Sequence, residues 1–544
     1  MTNRRHLFLL LVILLVICPA AQAQKYRRDD PIWVDHDRQP IPPPVKVDDL
    51  SQVADFLQNT FSHKPGRPAA RSENINTWGE VPDSSWFTNR MSRRSLTIEE
   101  LVRGPNGRPG PDMSQPWTII GGKTQGITPG FTILDAKGDM YFIKFDPIGY
   151  PQLATSTEVI STKFFHAFGY NVPENYLARI RRDSVKIGPD AKVKDENGLK
   201  RKWTEEDVDR IFQKVPVQDD GAVQVVASFK LDGDIIGPFV YFGTRSDDPN
   251  DVFPHENRRE LRGLRLFAAW LNHDDSRSVN TKDCYIKQGD KQGYVRHNLF
   301  DFGSCLGSGS VRIQGRRAGN EYMLEAGPIL KAALTFGIWD RPWRYVRYPD
   351  YPAIGRFEAD YFRPEQWRPE YPNPAFERMQ DEDAFWACKT IARFTDEMVR
   401  ALVKTGELKD PAAEEYLTQS LIKRRDKILR YYLSRMNPLA DFELVSLDGR
   451  PALRFSNLGE TRGLGQADSY QYQWSSFDNR TGAMKPLGSQ EVVAAPEFSL
   501  PREQGNGYLA VVIRTLAPSQ KDWAKSITVY LAQSPLRIVG IERE

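Results

Sequence analysis

Residues 270–286 read WLNHDDSRSVNTKDCYI, and this stretch decides the fold. Two adjacent aspartates follow a run of good helix formers and lead into DCYI, which has the composition of a strand. Neighbouring carboxylates repel each other, and a helix end ordinarily carries Lys, Arg or Gly. The loop nevertheless gathers His273, Asp274, Asp275, Arg277 and Asn280. Asp and Asn are common turn formers, so the sequence on either side must say whether this is more than a turn.

Upstream, ENRRELRGLRLFAAWLN (256–272) predicts a long helix that delivers the loop, with HEN (255–257) opening it. HEN lacks the partner histidine at helical spacing that a zinc site needs. Further back, PWTIIGGKTQG (116–126), GFTILDA (130–136) and MYFIKFDP (140–147) predict three strands separated by turns. ATSTEVISTKFFHAFGY (154–170) predicts an amphipathic helix with Val159, Phe164, Phe165 and Phe168 on its apolar face and Gly169 as its stop. YLARIRRDSVKI (176–187) reads as a strand, residues 188–220 as a charged insertion with a helix at TEEDVDRIFQKV, and VQVVASFK and GPFVYFG as strands completing a mostly antiparallel sheet. Downstream of the loop, YVRHNLFDFGSCLGSGS (294–310) carries a strand and then Asp301-Phe302-Gly303. GKT at 122–124 is no P-loop: Thr118 stands where the first glycine belongs, and a strand follows instead of a helix.

The chain order is thus strand-borne Lys144, helix-borne Glu158, His273-x-Asp275, Arg277, Asn280 and Asp301-Phe302-Gly303. Over about residues 115–436 this resembles the atypical protein-kinase-like proteins, including the HipA-type, spore-coat and secretory-pathway kinases. The resemblance implies an α+β, bilobal kinase-like fold using ATP with Mg²⁺, or Mn²⁺ in its place. Lys144 would pair with the α and β phosphates and Glu158 would hold it by an ion pair. Asp301 and Asn280 would bind the metal. Asp275 would receive the proton of the acceptor hydroxyl, and Arg277 would neutralise the transferring phosphoryl group. Gly121, Gly122 and Gly126, which depart from the kinase glycine pattern, would cap phosphates through backbone amides. Asp274 stands where many kinases carry arginine, and its reading is a loop hydrogen bond. Arg316 and Arg317 read as a solvated basic turn, and the tryptophans of 339–367 as core or a covering insertion.

The rest of the chain frames this. Its 544 residues exceed one ordinary core, and 74 basic against 71 acidic residues suggest no polyanion partner or nucleic acid. MTNRRH, LFLLLVILLVIC and AQA ending at Ala23 predict a cleaved export signal and a periplasmic or extracellular protein. Cys18 does not make a lipoprotein site, because Ile17 precedes it. Of the remaining cysteines, Cys284, Cys305 and Cys388, none has metal-ligand spacing; they read as core, with a single bridge left open. Residues 24–112 read as a Pro- and Arg-rich extension with two short helices, packed on the next domain by Trp86 and Phe87. Residues 113–245 and 246–437 read as two kinase-like lobes, with a helical block over 381–436, and 438–544 as a β-sandwich. The expected function is an exported atypical kinase acting on a protein or small-molecule hydroxyl. The alternatives are nucleotidyl transfer on the same fold, or an inactive kinase-like scaffold whose sandwich docks an envelope partner.

Overall fold

The computed structural model describes residues 24–48, 51–62, 70–122, 130–194, 199–502 and 506–544. The leader (1–23) and Gly126 lie outside them. Among the described residues no helix is long and apolar enough to cross a membrane. The fold is α+β, and the chain divides into two compact units: residues 24–32, 76–80 and 434–544 in one, 33–75 and 81–433 in the other. Residues 113–245 and 246–433 thus share one unit. The extension, expected as one piece on the kinase-like part, is divided between the two.

In the larger unit, helices α1 (Gln52–Phe61) and α2 (Ile98–Arg103) precede strands β1 (Trp117–Gly122), β2 (Gly130–Leu134) and β3 (Met140–Phe145). Helix α3 (Leu153–Phe168) follows, then β4 (Asn175–Ile180), β5 (Val185–Lys194), β6 (Lys200–Lys202), helix α4 (Glu205–Phe212) and β7 (Val223–Phe229). Alternation buries Trp117, Ile119, Phe131, Ile133, Tyr141, Ile143 and Phe145 in one core, as half-buried strands require. The strand order is β4-β7-β3-β2-β1-β5-β6.

Two expectations are corrected here. The predicted strand 176–187 is broken by a 3-10 turn at Arg182–Ser184, and β4 and β5 lie five strand positions apart. Five inter-strand spacings amount to about 24 Å in a flat sheet, whereas the five residue steps from Ile180 to Val185 reach about 17 Å at most. The sheet is therefore curled, and Ile180 and Val185 enter the same core. The 188–220 segment is correspondingly part of the sheet rather than a bare insertion. Its β5 runs parallel to β1, and β6 pairs with β5.

The second correction is GPFVYFG. Strand β8 is Asp234–Gly237, and Pro238, which lacks a ladder donor, starts an irregular run. β8 belongs to a separate three-stranded sheet with β9 (Thr281–Lys287) and β10 (Gly293–Leu299), which lie either side of the hairpin after the loop. Helix α5 (Arg259–Leu271) delivers the loop; α6 (Ala326–Leu334), α7 (Asp381–Ala392), α8 (Asp396–Lys404) and α9 (Pro411–Leu433) complete the unit. Cys284, Cys305 and Cys388 are buried free thiols, so no bridge joins any pair of them.

In the smaller unit, a sheet of Leu439–Leu447, Arg450–Asn457 and Glu497–Ser499 shares a core with a larger sheet built on Ser469–Phe477, Tyr508–Leu516, Ile527–Gln533 and Leu536–Arg543. That is a β-sandwich. Tyr26 of the extension completes a second small core there, clasped by Asn479 through bonds of 2.8 and 2.6 Å.

Gly169 ends α3 with φ 123°, and an added Cβ would lie 2.2 Å from the Phe87 ring. Gly169→Ala is expected to cost about 2–4 kcal/mol in urea unfolding, from strain plus overpacking. A loss under about 1 kcal/mol would mean that Phe87 does not lock the extension to this helix end.

Candidate active site

The centre of the site is the Lys144 ammonium. It donates to Glu158 Oε2 at 3.0 Å and to Asp301 Oδ1 at 2.9 Å, joining β3, α3 and the turn after β10. The side chains of Lys144 and Glu158 are 12% and 2% exposed, and that of Asp301 30%. Burial disfavours the charged lysine, but Asp301 and Glu158 outweigh it and hold the ammonium above its ordinary pKa. Glu158 also accepts from the Phe302 amide at 3.0 Å, so one carboxylate fixes both the lysine and the Asp-Phe-Gly turn. Asp301 has φ 62°, a left-handed backbone that Asp tolerates better than most residues.

Strand and helix are joined by a residue that sequence reasoning passed over. The α3 N-terminus has no cap from Gln152. Asp146, two residues past Lys144, accepts instead from the amides of Gln152, Ala154 and Thr155 at 2.8–2.9 Å and from the Thr155 hydroxyl at 2.8 Å. The strand that carries Lys144 thereby anchors the helix that carries Glu158. An Asp followed by a proline before a helix was the available signal.

Sheet register places Asn280 beside Phe300, the residue before Asp301. β9 and β10 pair antiparallel with Thr281 opposite Leu299, and the Phe300 amide extends the ladder by donating to Asn280 O at 3.0 Å. Asn280 Nδ2 donates to Asp275 O at 2.8 Å, which closes the loop and leaves its amide oxygen as an acceptor.

In the loop itself, Arg277 forms ion pairs with Asp275 and with Glu370. Burial raises the Asp275 pKa, while Arg277 and Asn280 oppose that rise. Asp274 is raised well above the ordinary range by burial and by Asp275 and Glu370; its Oδ1 accepts from Gln314 Nε2 at 2.7 Å. Burial pushes the pKa of His273 down to about 4, and its Nδ1 pairs with the Ser276 hydroxyl at 2.9 Å. The ring packs near Phe302 and Phe165, as a core histidine.

The segment 370–373 straps this loop and was invisible in the sequence. Its Glu370 amide donates to Asp274 O at 2.8 Å, and Asn373 Nδ2 to Ser276 O at 3.1 Å. The Tyr371 hydroxyl donates to Asp55 at 2.5 Å, and Asp55, buried on α1, also accepts from Ser278 at 3.0 Å. Burial, together with Asp55, raises the Tyr371 pKa.

Gly121 and Gly122 are not gathered around Lys144. They sit in β1 between β2 and β5, and a Cβ on Gly122 would press on Val193 and Trp203 at 3.1 and 3.2 Å, which is a packing reason for glycine. Gly130, the first residue of β2, lies directly across the ladder from Lys144. Arg316 is exposed and donates to Val346 O at 2.5 Å. Of the three tryptophans in 339–367, Trp367 alone is fully buried.

Among the described residues no cluster of three or more His, Cys, Asp or Glu side chains could hold a metal by itself. Asp301 and Asn280 supply hard oxygen donors of the kind Mg²⁺ accepts alongside nucleotide phosphates.

No family model and no curated protein matches the chain. Among solved structures, it is similar to the proinflammatory kinase CtkA of Helicobacter pylori, with TM-score 0.31 and 12% identity over 57% of this chain and 92% of that one. It is also similar to the Golgi casein kinase with Mn/ADP bound, with TM-score 0.28 and 9% identity over 61% of this chain and 74% of that one.

Asp146→Ala removes all four of those hydrogen bonds and is expected to cost about 2–4 kcal/mol in urea unfolding. A midpoint equal to the wild type would show that α3 is held in place without it.

Proposed function

We propose that the protein is an exported atypical kinase that transfers phosphate from Mg-ATP to a hydroxyl of a protein or small molecule. The observation that carries this reading is the Lys144 ammonium held between Glu158 and Asp301. A buried lysine that bridges a helix carboxylate and the aspartate of an Asp-Phe-Gly turn is pre-positioned to pass from carboxylate to phosphate oxygens, and it costs no reorganisation of the strand. Export is supported by the leader at 1–23, with its basic start, apolar run and Ala-x-Ala end.

Asp301 and the Asn280 amide oxygen would hold the metal, which would neutralise charge on the phosphate oxygens. Lys144 would then give up Asp301 and keep Glu158, and its charge would sit against the phosphates. Asp275 would orient the acceptor hydroxyl and take its proton. Arg277, locked by Glu370, would oppose the rise that burial gives the Asp275 pKa and so favour its ionised form.

Nucleotide binding to the full chain, measured calorimetrically with and without Mg²⁺, is the primary test. Wild type is expected to bind ATP in a metal-dependent way and Asp301→Ala to lose that dependence; absence of binding to any nucleotide would leave a scaffold. Asp275→Ala should keep nucleotide binding and lower transfer by about 10²–10⁴-fold, with mass analysis of the product separating phosphate from nucleotide addition. Unchanged transfer would remove Asp275 from the reaction.

The pH profile provides a further check. The base acts ionised and its pKa is raised, so transfer should fall on acidification through a midpoint above the ordinary aspartate range. Arg277→Gln removes a charge that lowers that pKa, so the acid limb should move to higher pH. A limb that stays put or moves to lower pH would contradict the assignment.

A further inference from the structure

The residue that ends α5 has a second neighbourhood, away from the Lys144 centre. Asn272, with φ 54°, immediately precedes His273. It accepts from Trp367 Nε1 at 2.9 Å and donates to Gln314 Oε1 at 2.8 Å. Gly319 approaches so closely that a Cβ there would lie 2.1 Å from Asn272 Oδ1. Beside this junction is a cavity of about 50 Å³ whose lining includes Asn272, Asn320, Arg356, Arg363, Arg424 and Glu358.

The lining thus holds three arginines and one carboxylate. Arg424, on α9, is buried, and it is held by neutral groups. It donates to the backbone carbonyls of Glu358 at 2.9 Å and Ala269 at 2.6 Å, and its guanidinium lies over Phe362 at 3.7 Å and Phe357 at 4.6 Å. Its Nε–H has no hydrogen-bond partner, and among the described residues no carboxylate forms an ion pair with it. Burial pushes its pKa down to about 9, with Glu358 opposing that only in part. Arg363 is exposed, and among the described residues its guanidinium forms no hydrogen bond or ion pair. Arg356 is half-buried and donates to Gln314 O at 2.7 Å. A buried cation held by dipoles and ring faces gains most from an anion that brings matching acceptors.

The size is selective too. One water needs roughly 10–15 Å³ on this measure, so the cavity has room for a group of several heavy atoms. The three arginines of the lining suit an oxyanion with acceptors on several sides, which planar guanidinium forks recognise well.

We propose that this cavity is a binding site for a tetrahedral oxyanion: free phosphate, or a phosphomonoester group on a larger molecule. Its occupancy reaches the loop through Arg356, Gln314 and Asp274, since Gln314 receives the Arg356 bond and gives one to Asp274. The site stands on the cavity and its arginines, independently of whether Lys144 and Asp301 serve phosphoryl transfer.

The test uses the full chain in EDTA at fixed ionic strength, with thermal unfolding and calorimetry as readouts. Inorganic phosphate and phenyl phosphate are the probes and chloride is the control. Phosphate should raise the Tm of wild type above the chloride control. Arg356→Gln and Arg363→Gln should each weaken phosphate binding by about tenfold, Arg363→Gln without lowering the Tm of the free protein and Arg356→Gln, which also loses its bond to Gln314 O, read against its own chloride control; the double variant should abolish the shift. Phenyl phosphate binding as tightly as phosphate identifies a monoester on a larger molecule, and binding of phosphate alone identifies the free anion; both support the site. A phosphate shift no larger than that of chloride, or one that survives in the double variant, overturns it. Asp301→Ala should keep phosphate binding, and the arginine variants should keep metal-dependent nucleotide binding. Failure of the anion site and failure of the nucleotide site are thereby read separately.

Discussion

A single buried ammonium organises the larger unit. Lys144 sits on β3, an inner strand of a curled sheet, and leaving water is costly for it unless opposite charge comes with it. Glu158 and Asp301 bring that charge from elements 14 and 157 residues away in the chain. The same Glu158 carboxylate holds the Phe302 amide, so strand, helix and Asp-Phe-Gly turn cannot move independently. Asp146 adds the backbone side of the coupling by capping α3 from the end of β3. Removing any one of these groups leaves another buried polar group without its partner, which is why the arrangement behaves as a unit.

The aspartate pair of the loop is explained by the same logic applied to negative charge. Asp274 and Asp275 repel each other and are joined by Glu370, yet Arg277 stands between Asp275 and Glu370, and Gln314 bonds Asp274. The two carboxylates thus have different surroundings. Burial raises both, Asp274 well above the ordinary range and Asp275 against the opposition of the adjacent Arg277. Environments that push neighbouring carboxyl pKa values apart are a recurrent way of assigning different tasks to like groups.

Much of this was legible in the residues. Alternation in MYFIKF and GFTIL, the Gly169 stop and the long apolar run of α5 marked elements whose bounds lie close to those found. The spacing of His273, Asp275, Arg277 and Asn280 singled out the loop because a short segment brings its own members together whatever the rest of the chain does. Failures occurred where tertiary context overrides local pattern. RRDS broke a strand-like run into two strands far apart in the sheet order, and GPFVYFG has strand composition, but pairing stops after its first residue, where Pro238 lacks a ladder donor. The division of the extension between two units has no local signature, since Tyr26 and Trp86 are equally plausible anchors until their receiving cores exist.

By itself, the sequence determined which residue types could do charge chemistry and in what order they occur along the chain, because periodicity, capping and turn propensities act over a few residues. Only the tertiary structure decided which of them meet. The Lys144–Glu158–Asp301 contact, the Glu370 strap across the loop, the Asp55 brace from α1 and the arginine cavity beside Asn272 all join residues tens to hundreds of positions apart. Such contacts depend on sheet curvature and register, which arise from the packing of the whole core.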